Sequence, residues 1–386
     1  MKLGKEFSDK LLFYSCCIYF FCIPISMSAA AISGGAFLAV WVLSGKITTR
    51  MIWRPWMLHV LLLMAFPWIG LLYTSNVHNG MTYAQKSYYW LFAFAAAATC
   101  SDRYPVSRLP KAFVLGLSLS SIVSLLQYAG IVPLKKGMPI ALFYWHQTYS
   151  LLLAFGVAIT SWFIFKSERY REKLLFLALF VVILAALAIV PGRAGYLVFL
   201  LTVPFIAYNF LSKKNLFRIA IFCILVGGLL FVSPVVHHRI NEGLNDITAY
   251  KSGNINTSLG LRFYFWRSAA DMILEHPLLG LGTGGFEEGL KKFKTDPALP
   301  DSSQPHNSFV YLAVSFGIFS LIPFVWLLFS LFREGWRHRN SVVGFSIFSC
   351  AMMMLVGSMF DSQLIMNGTG VLFALFIGLQ ENLREG

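Results

Sequence analysis

Twelve apolar runs, separated by short polar or basic stretches, constrain this sequence more than any other feature. A helix needs about 20 predominantly apolar residues to cross the hydrocarbon core of a membrane. The runs cover residues 11–27, 29–44, 56–73, 87–100, 112–129, 144–165, 174–190, 194–211, 216–232, 307–332, 343–360 and 370–383. Only 12% of the 386 residues are charged, about half the usual share in a soluble domain. The sequence predicts an all-α polytopic membrane protein with about twelve transmembrane helices, although the first two runs could form one kinked hairpin.

The basic residues indicate how these helices are oriented. Of the 31 lysines and arginines, 20 lie near the two termini or in every second connection. Since cytoplasmic connections carry an excess of Lys and Arg, we expect both termini to be cytoplasmic; Lys135 and Lys136 are the main exceptions. The formal net charge of +14 is spread over these short clusters. That distribution favours topology signals and membrane lipids as neighbours, and argues against a nucleic-acid partner.

One polar stretch, residues 233–305, is too long for a simple connection. It falls on the side opposite the basic clusters, which is the periplasm for a bacterial inner-membrane protein. We therefore expect residues 1–232 to hold nine transmembrane helices, residues 233–305 to form a periplasmic loop domain with short helices, and residues 306–386 to hold the last three transmembrane helices. Ser258 is predicted to cap a helix within the loop.

The polar stretch ends at His306 and Asn307, where the segment DSSQPHNSFVYLAVSFGIFSL passes into an apolar run. We expect one long uninterrupted helix from this junction. A neutral imidazole can accept a proton near neutral pH, which suits a general base. The alternative is a histidine at a helix start that is satisfied by Asn307 or by backbone groups. His146, in FYWHQTYS, is a weaker candidate near the outer end of another run.

Two arginines are candidates for binding an anion. Arg193, in IVPGRAGYLVF, lies on the side of the membrane where positive charge is rare. Ionisable residues at such positions are costly and usually functional, but an arginine that extends to the membrane surface is the alternative. Arg262 and Trp266 are spaced i to i+4 and share a helix face. Arginine recognises phosphate oxygens in a bidentate manner, yet a plain surface position is equally compatible with Arg262.

Other motifs narrow the chemistry. Gly280, Gly282 and Gly285 form a GxGxxG pattern, but no strand precedes it, so we reject a dinucleotide site and expect a tight turn packed on the membrane helices. Walker A, H-E-x-x-H and G-x-S-x-G motifs are absent, and the polar stretch has no DxD-like pair. We therefore expect no metal and no cofactor. An enzyme without ATP needs an activated substrate, such as a lipid-linked diphosphate sugar whose leaving group arginines can stabilise.

Four segments resemble the O-antigen ligase family, a superfamily that also holds O-antigen polymerases and protein-glycosylating ligases. They are PGRAGY around Arg193, LRFYFW around Arg262, HPLLGLGTGGF, and PHNSFVYLAVSFGIFSL around His306. The resemblance implies a GT-C-like fold and a metal-independent, inverting transfer of a glycan from undecaprenyl diphosphate, which the ligases direct to a sugar hydroxyl of lipid A–core. It implies His306 as the base that deprotonates the acceptor, and Arg193 and Arg262 as ligands of the diphosphate.

The sequence leaves three functions open: an O-antigen ligase, a polymerase of the same superfamily, and a twelve-span transporter. A transporter predicts broken helices with polar residues near the bilayer midplane, often in two related halves. No such symmetry is visible, which favours an enzyme. The family often has serine before the first arginine, whereas this sequence has Gly192. Trp266, Asn307 and His146 are the candidate supporting residues.

Overall fold

A computed structural model of the protein describes residues 5–46, 53–99, 104–143, 145–211, 216–294 and 299–383. Within these ranges the chain is helical and forms no strand. Its seventeen α-helices are α1 (Lys5–Cys22), α2 (Met27–Leu43), α3 (Pro55–Gly70), α4 (Val77–Ala84), α5 (Leu91–Thr99), α6 (Arg108–Tyr128), α7 (His146–Lys166), α8 (Tyr170–Ile189), α9 (Arg193–Phe210), α10 (Leu216–Phe231), α11 (Pro234–Lys251), α12 (Ser258–Glu275), α13 (Phe286–Phe293), α14 (Ser308–Phe316), α15 (Leu321–Arg337), α16 (Val342–Phe360) and α17 (Thr369–Leu379).

The helical architecture agrees with an integral membrane protein. Six helices in the described ranges are long and apolar enough to cross a membrane: Arg108–Tyr128, His146–Lys166, Tyr170–Ile189, Arg193–Phe210, Ile318–Arg337 and Val342–Phe360. Shorter apolar helices cover Met27–Leu43, Pro55–Gly70 and Thr369–Leu383. Six of the twelve predicted spans thus meet both criteria, and the count of twelve stays a prediction. Several basic residues used for the orientation (Lys2, Arg50, Arg103, Lys213, Lys214 and Arg384) lie outside the described ranges.

The centre of the helical bundle is formed by α7, α16 and α17. Every residue of α17 is buried, and most residues of α7 and α16 are buried too. A helix that is apolar on all sides packs among other helices instead of presenting one face to a solvent. By contrast, only a few side chains of α8 are buried. The start of α7, where His146 lies, is therefore anchored in the most densely packed part of the molecule.

The expectation of one uninterrupted helix after His306 is wrong. α14 ends at Phe316, and Gly317 has a φ of 81°, in the left-handed region that glycine adopts without steric cost. The chain then passes through a 3-10 turn at Ile318–Ser320 into α15. A Cβ atom at Gly317 would lie 2.0 Å from the carbonyl oxygen of Leu278. The break thus makes room for the segment that follows α12.

Residues 233–305 contain three helices, but only α13 is short, because α11 and α12 have 18 residues each. Thr257, and not the predicted Ser258, caps α12, since its side chain accepts a hydrogen bond from the backbone N–H of Gly260. Two of these helices, α12 and α13, pack against α14. A separate small core joins α12, α13 and α14, and its buried members are Phe265, Ala269, Met272, Phe286, Leu290 and Val314.

The glycine-rich segment after α12 forms a tight turn packed on the membrane helices, as the sequence predicts. Positive φ angles occur at Gly280, Gly282 and Gly284. A Cβ atom at Gly282 would lie 2.5 Å from the carbonyl oxygen of Gly70, at the end of α3. Thr283 donates its backbone N–H to that same carbonyl (3.2 Å) and its hydroxyl to the carbonyl of Pro67 (2.6 Å). The turn thus fastens the 233–305 region to α3.

Candidate functional site

A cavity of about 270 Å³ lies where the starts of α7 and α9 meet α11 and α12. We call it the arginine cavity, because Arg193, Arg239 and Arg262 all line it, together with His146. The remaining lining is mostly apolar and consists of Gln147, Ala194, Leu197, Ile240, Gly243, Leu244, Ile247, Leu259 and Phe360. Three residues chosen from the sequence, two arginines and one histidine, therefore share one cavity.

A close crossing of α7 and α9 positions Arg193, the first residue of α9. A Cβ atom at Gly192 would lie 2.1 Å from the hydroxyl oxygen of Ser150 in α7, and one at Gly195 would lie 2.5 Å from the Ser150 carbonyl oxygen. A serine at position 192, which the family often has, would therefore collide with α7 here. This sequence has Gly192 where the family often has serine. Because glycine has no side chain, α9 can start beside His146.

Helix α11 adds a third arginine to the cavity lining and carries two carboxylates that pair with the arginines. Arg193 lies 3.4 Å from an oxygen of Asp246 and 3.6 Å from an oxygen of Glu242. Arg239 forms an ion pair with Glu242. The same oxygen of Asp246 accepts a hydrogen bond from the backbone N–H of Leu259 (3.3 Å), in the first turn of α12. Glu242 and Asp246 thus pair with Arg193 and Arg239, and they balance part of the positive charge of the three arginines.

Two of the arginines that line the cavity have a buried donor without a partner among the described residues. The Nε–H groups of Arg193 and Arg239 are buried, and neither has a hydrogen-bond partner in the part of the chain that the structure describes. A buried donor without a partner costs about 1–3 kcal/mol. Such groups are rare in folded proteins and require an explanation. An anion with several oxygen atoms, such as a phosphate ester, matches both donors in charge and in hydrogen-bonding capacity.

Arg262 reaches the cavity from the second turn of α12. Burial lowers the pKa of its guanidinium. Asp361 raises that pKa, Arg193 and Arg239 lower it, and Asp246 raises it. Because arginine is not deprotonated in proteins, Arg262 keeps its charge at neutral pH. A charge that has lost much of its water attracts an anion more strongly than the same charge in bulk solvent.

His306 does not line the arginine cavity and is held by a different carboxylate. Its Nδ1 lies 3.1 Å from an oxygen of Asp361, which is buried directly after α16. A carboxylate oxygen accepts hydrogen bonds, so Nδ1 carries the proton and Nε2 is the ring nitrogen left to accept one. The partner of the histidine is therefore Asp361, and not Asn307 or a backbone group. The His306 side chain is 35% exposed, so the imidazole is accessible.

The backbone at His306 is in an unusual conformation. Its φ of 51° is one that a residue with a side chain rarely adopts, and it costs about 1–3 kcal/mol. Neighbouring contacts fix it on both sides. Trp266 donates its Nε1–H to the carbonyl of Pro305 (2.9 Å), and the Asn307 side chain caps α14 while donating to the carbonyl of Met359 (3.1 Å). Trp266 and Asn307 thus position His306.

Two sets of contacts place His306 beside the arginine cavity. Phe360 lines the cavity, and the next residue is Asp361, whose charge acts on Arg262. The His306 ring also stacks on Phe265, which follows Arg262 by one turn of α12, with 6.1 Å between ring centroids. The arginine cavity and the histidine are therefore adjacent parts of one candidate site.

Four residues of this site were not selected from the sequence: Arg239, Glu242, Asp246 and Asp361. The reasoning that selected Arg193, a positive charge on the side where such charges are rare, applies equally to Arg239. Asp361 also carried a signal, because it directly follows an apolar run just as His306 directly precedes one. Among the described residues, no group of three or more histidine, cysteine, aspartate or glutamate side chains is arranged to hold a metal ion.

Comparison with known proteins gives consistent matches. A family model described as O-antigen ligase matches residues 178–325, a range that includes Arg193, Arg262 and His306. An uncharacterized protein of Haemophilus influenzae is 33% identical over 146 residues, 36% of either chain. A putative polysaccharide ligase of Rickettsia conorii is 23% identical over 297 residues, 73% of this chain and 69% of the relative. An O-antigen ligase of Escherichia coli is 24% identical over 204 residues, 50% of this chain and 47% of the relative.

The extent of these matches differs. The chain spans about a third of the Haemophilus influenzae protein and about half of the Escherichia coli ligase, whereas the match to the Rickettsia conorii protein runs through most of both chains. The family model and the two relatives named as ligases agree with the four segments recognised in the sequence, and with the position of the candidate site inside the matched range. Over residues 178–325 the chain is similar to the O-antigen ligase family, and two relatives named as ligases match longer parts of it.

Proposed function

We propose that this protein is an O-antigen ligase of the bacterial inner membrane. Facing the periplasm, it would move an O-antigen glycan from undecaprenyl diphosphate to lipid A–core, without a metal ion or another cofactor. One observation carries the proposal: a cavity with three arginines, two of them with unpartnered buried donors, lies beside the His306–Asp361 pair. The similarity to the O-antigen ligase family supports a lipid-linked polysaccharide as the substrate class.

The arginine cavity is proposed to bind the diphosphate of the donor. Arg193, Arg239 and Arg262 supply positive charge and a fork of N–H donors, which suits phosphate oxygens. As the bond to the sugar breaks, negative charge grows on the departing diphosphate. Arginines already held in place stabilise that charge without reorganising. The apolar side chains that line the rest of the cavity suit the first part of a polyprenyl chain.

His306 is proposed to act as the general base on the acceptor. Its Nε2 takes the proton from a sugar hydroxyl of lipid A–core while that oxygen forms a bond to the anomeric carbon of the glycan. The bond from the anomeric carbon to the diphosphate oxygen breaks at the same time, and the electron pair leaves with the diphosphate. Attack from the face opposite the leaving group inverts the anomeric configuration. Asp361 holds the imidazole in the tautomer that leaves Nε2 free and stabilises the imidazolium that forms.

The membrane arrangement proposed with this reaction has about twelve spans and two cytoplasmic termini. Residues 233–305 then cover the site from the periplasmic side. Both substrates carry lipid anchors, so they can approach laterally between helices. Holding the two reacting groups in one orientation converts a bimolecular encounter into a step within one complex.

The direct test uses the purified protein in proteoliposomes with a lipid-linked glycan and lipid A–core, with and without EDTA. We expect lipid A–core to gain the glycan, in equal amounts with and without the chelator. Loss of transfer in EDTA would contradict the metal-independent mechanism. Lengthening of the glycan on its lipid carrier, without transfer to lipid A–core, would contradict the ligase and identify the polymerase.

A further inference from the structure

We propose that the turn at residues 276–279, directly after α12, is embedded in the membrane leaflet on the side of the arginine cavity. We call this segment the anchor turn, and we assign Leu278 and Leu279 as its lipid-contacting residues. From the sequence, these residues are expected in the periplasmic loop domain. The proposal depends on the membrane character of the chain and not on the proposed reaction, so the two can fail separately.

The first observation is exposed apolar surface. Leu278 is 65% exposed and Leu279 is 64% exposed, while Leu274, one turn earlier on α12, is 79% exposed. Removing a leucine side chain from water stabilises a protein by about 1.5–3 kcal/mol. Adjacent exposed leucines are therefore unfavourable in water, and a contiguous apolar patch marks a binding surface or a membrane contact.

The second observation is continuity with a membrane-spanning helix. The backbone N–H of Ile318 donates to the carbonyl of Pro277 (2.9 Å), which fixes the anchor turn at the start of the span Ile318–Arg337. The side chains at this end of the span point outward: Ile318, Phe319 and Ile322 are 49%, 61% and 59% exposed. In a membrane, these side chains contact lipid. Leu278, whose carbonyl packs on Gly317, extends the same apolar surface.

The third observation comes from the other flank of the anchor turn. Tyr73, just after α3, donates its hydroxyl to the carbonyl of Leu279 (2.7 Å). The neighbouring Leu72 is 85% exposed, and Ile69 at the end of α3 is 51% exposed. Tyrosine is enriched where membrane helices reach the headgroup region. The anchor turn therefore lies between the ends of two apolar helices, α3 and α15, and both present apolar side chains outward.

A basic side chain beside the leucines favours a bilayer as the occupant of this surface. A cleft of about 840 Å³ lies between the anchor turn and α13, and its lining includes Glu288, Lys291 and Lys292. Lys291 forms an ion pair with Glu288 (2.8 Å), so Lys292 is the lysine that can meet an anionic headgroup. α13 buries Phe286 and Leu290 and leaves both lysines exposed. Leucines on one side of the cleft and Lys292 on the other match the order of acyl chains and phosphate headgroups across a leaflet.

An anchored turn has a consequence for the site. α12 carries Arg262 near its start and leads into the anchor turn at its end. Fixing the end of α12 in the leaflet therefore fixes the depth of Arg262 relative to the lipid surface. If the proposed function is correct, this is the depth at which a lipid-linked diphosphate presents its phosphates.

The test measures how a fluorophore at the anchor turn is quenched in proteoliposomes. The native cysteines are replaced, and Leu278→Cys or Leu279→Cys carries the environment-sensitive label NBD. Lys251→Cys is the matched control. It is exposed at the far end of α11, a helix about 27 Å long that follows the α10 run. We expect phospholipids with a nitroxide on the acyl chain to quench the labels at 278 and 279 strongly, and aqueous iodide to quench them weakly. The label at 251 should show the reverse.

Equal iodide quenching at positions 278, 279 and 251 would overturn the proposal. A second copy of the chain could also cover the leucines, so the measurement is repeated in nanodiscs that hold one copy each. Quenching by the lipid nitroxide must persist there. Its loss in single-copy nanodiscs would show that protein, and not lipid, covers the anchor turn. The transfer assay is run on the same samples, so that loss of activity and loss of membrane contact are recorded separately.

Discussion

In the arginine cavity, two buried arginine donors have no partner within the described residues, whereas at the His306 junction the imidazole is bonded to a carboxylate. Arg193 and Arg239 keep buried Nε–H groups without a partner. By contrast, His306 is bonded to Asp361, and the segment around it is fixed by Trp266 and by Asn307. The arginine cavity has donors that remain available to a ligand, whereas the His306 side chain is held in one orientation.

The difference indicates two separate tasks. Unsatisfied donors contribute binding free energy only when a ligand arrives, so the cavity is suited to holding the donor substrate. A histidine with one ring nitrogen committed to a carboxylate, on a strained backbone, is suited to presenting the other nitrogen in one geometry. Substitutions in the cavity should therefore affect donor affinity, and substitutions at the junction should affect the chemical step.

The largest effect is expected for His306→Ala. General bases contribute about 10²–10⁴-fold to rate, so transfer should fall by that amount while the protein still inserts and folds. His78→Ala, at an exposed position of α4, is the control and should retain activity. The check is the rate of glycan transfer, together with the amount of smooth lipopolysaccharide made in cells that lack their own ligase. Full-length product from the His306 variant would refute the base assignment.

Asp361→Asn should have the next largest effect, because asparagine keeps the size of the side chain but removes the charge that opposes an imidazolium. We expect a loss on the order of 10²-fold in kcat with an unchanged KM for the donor. A purely structural role for Asp361 would lower the amount of folded protein instead. A raised donor KM with normal kcat would mean that Asp361 contributes to donor binding, as the arginines do. That result would contradict the distinction between the two parts of the site.

Arg239→Ala tests the cavity with a residue that sequence reasoning did not select. A hydrogen bond to a charged group contributes about 1.5–3 kcal/mol, so the donor KM should rise roughly 10- to 100-fold. Arg239→Lys should restore little if phosphate recognition is bidentate. Arg267→Ala, on the exposed face of α12, is the charge-matched control. Equal effects of the Arg239 and Arg267 variants would mean that only net charge matters.

Gly192→Ser should have the smallest effect on the reaction and should act through stability. The added side chain would meet Ser150 of α7, and overpacking of this kind costs about 1–3 kcal/mol. Thermal unfolding in detergent should therefore begin at a lower temperature. Gly192→Ser combined with Ser150→Gly should recover part of the loss. An unchanged unfolding temperature for the single variant would show that α7 and α9 separate easily.

The sequence was sufficient for the helical membrane class, because apolar runs report directly on the solvent that surrounds a chain. It also selected Arg193, Arg262 and His306, since ionisable groups stand out where a membrane surface is expected. The sequence alone did not show that these three residues lie close together. Their meeting depends on the close crossing of α7 and α9 at Gly192, and on a histidine-to-aspartate contact that joins residues 55 apart in the chain.

Two expectations from the sequence were wrong, the uninterrupted helix after His306 and the helix cap at Ser258, and each has a physical reason. The run after His306 contains Pro323, but that residue lies in the first turn of α15. The break comes earlier, at Gly317, which takes a positive φ because the anchor turn occupies the space beside it. That is a tertiary effect, which composition does not report. The sequence predicts Ser258 as the cap of α12, whereas the structure has Thr257. Both side chains can cap a helix, and only the packed structure distinguishes them.

The central claim is that the donor diphosphate binds the arginine cavity and that His306 acts only in the chemical step. The most direct measurement is the Kd for undecaprenyl diphosphate of the wild-type protein, the His306→Ala variant and the Arg239→Ala variant, all in nanodiscs. We expect wild-type affinity for the His306 variant, whose transfer rate falls by about 10²- to 10⁴-fold, and roughly 10- to 100-fold weaker binding for the Arg239 variant. Affinity that falls with His306→Ala and stays unchanged with Arg239→Ala would contradict it.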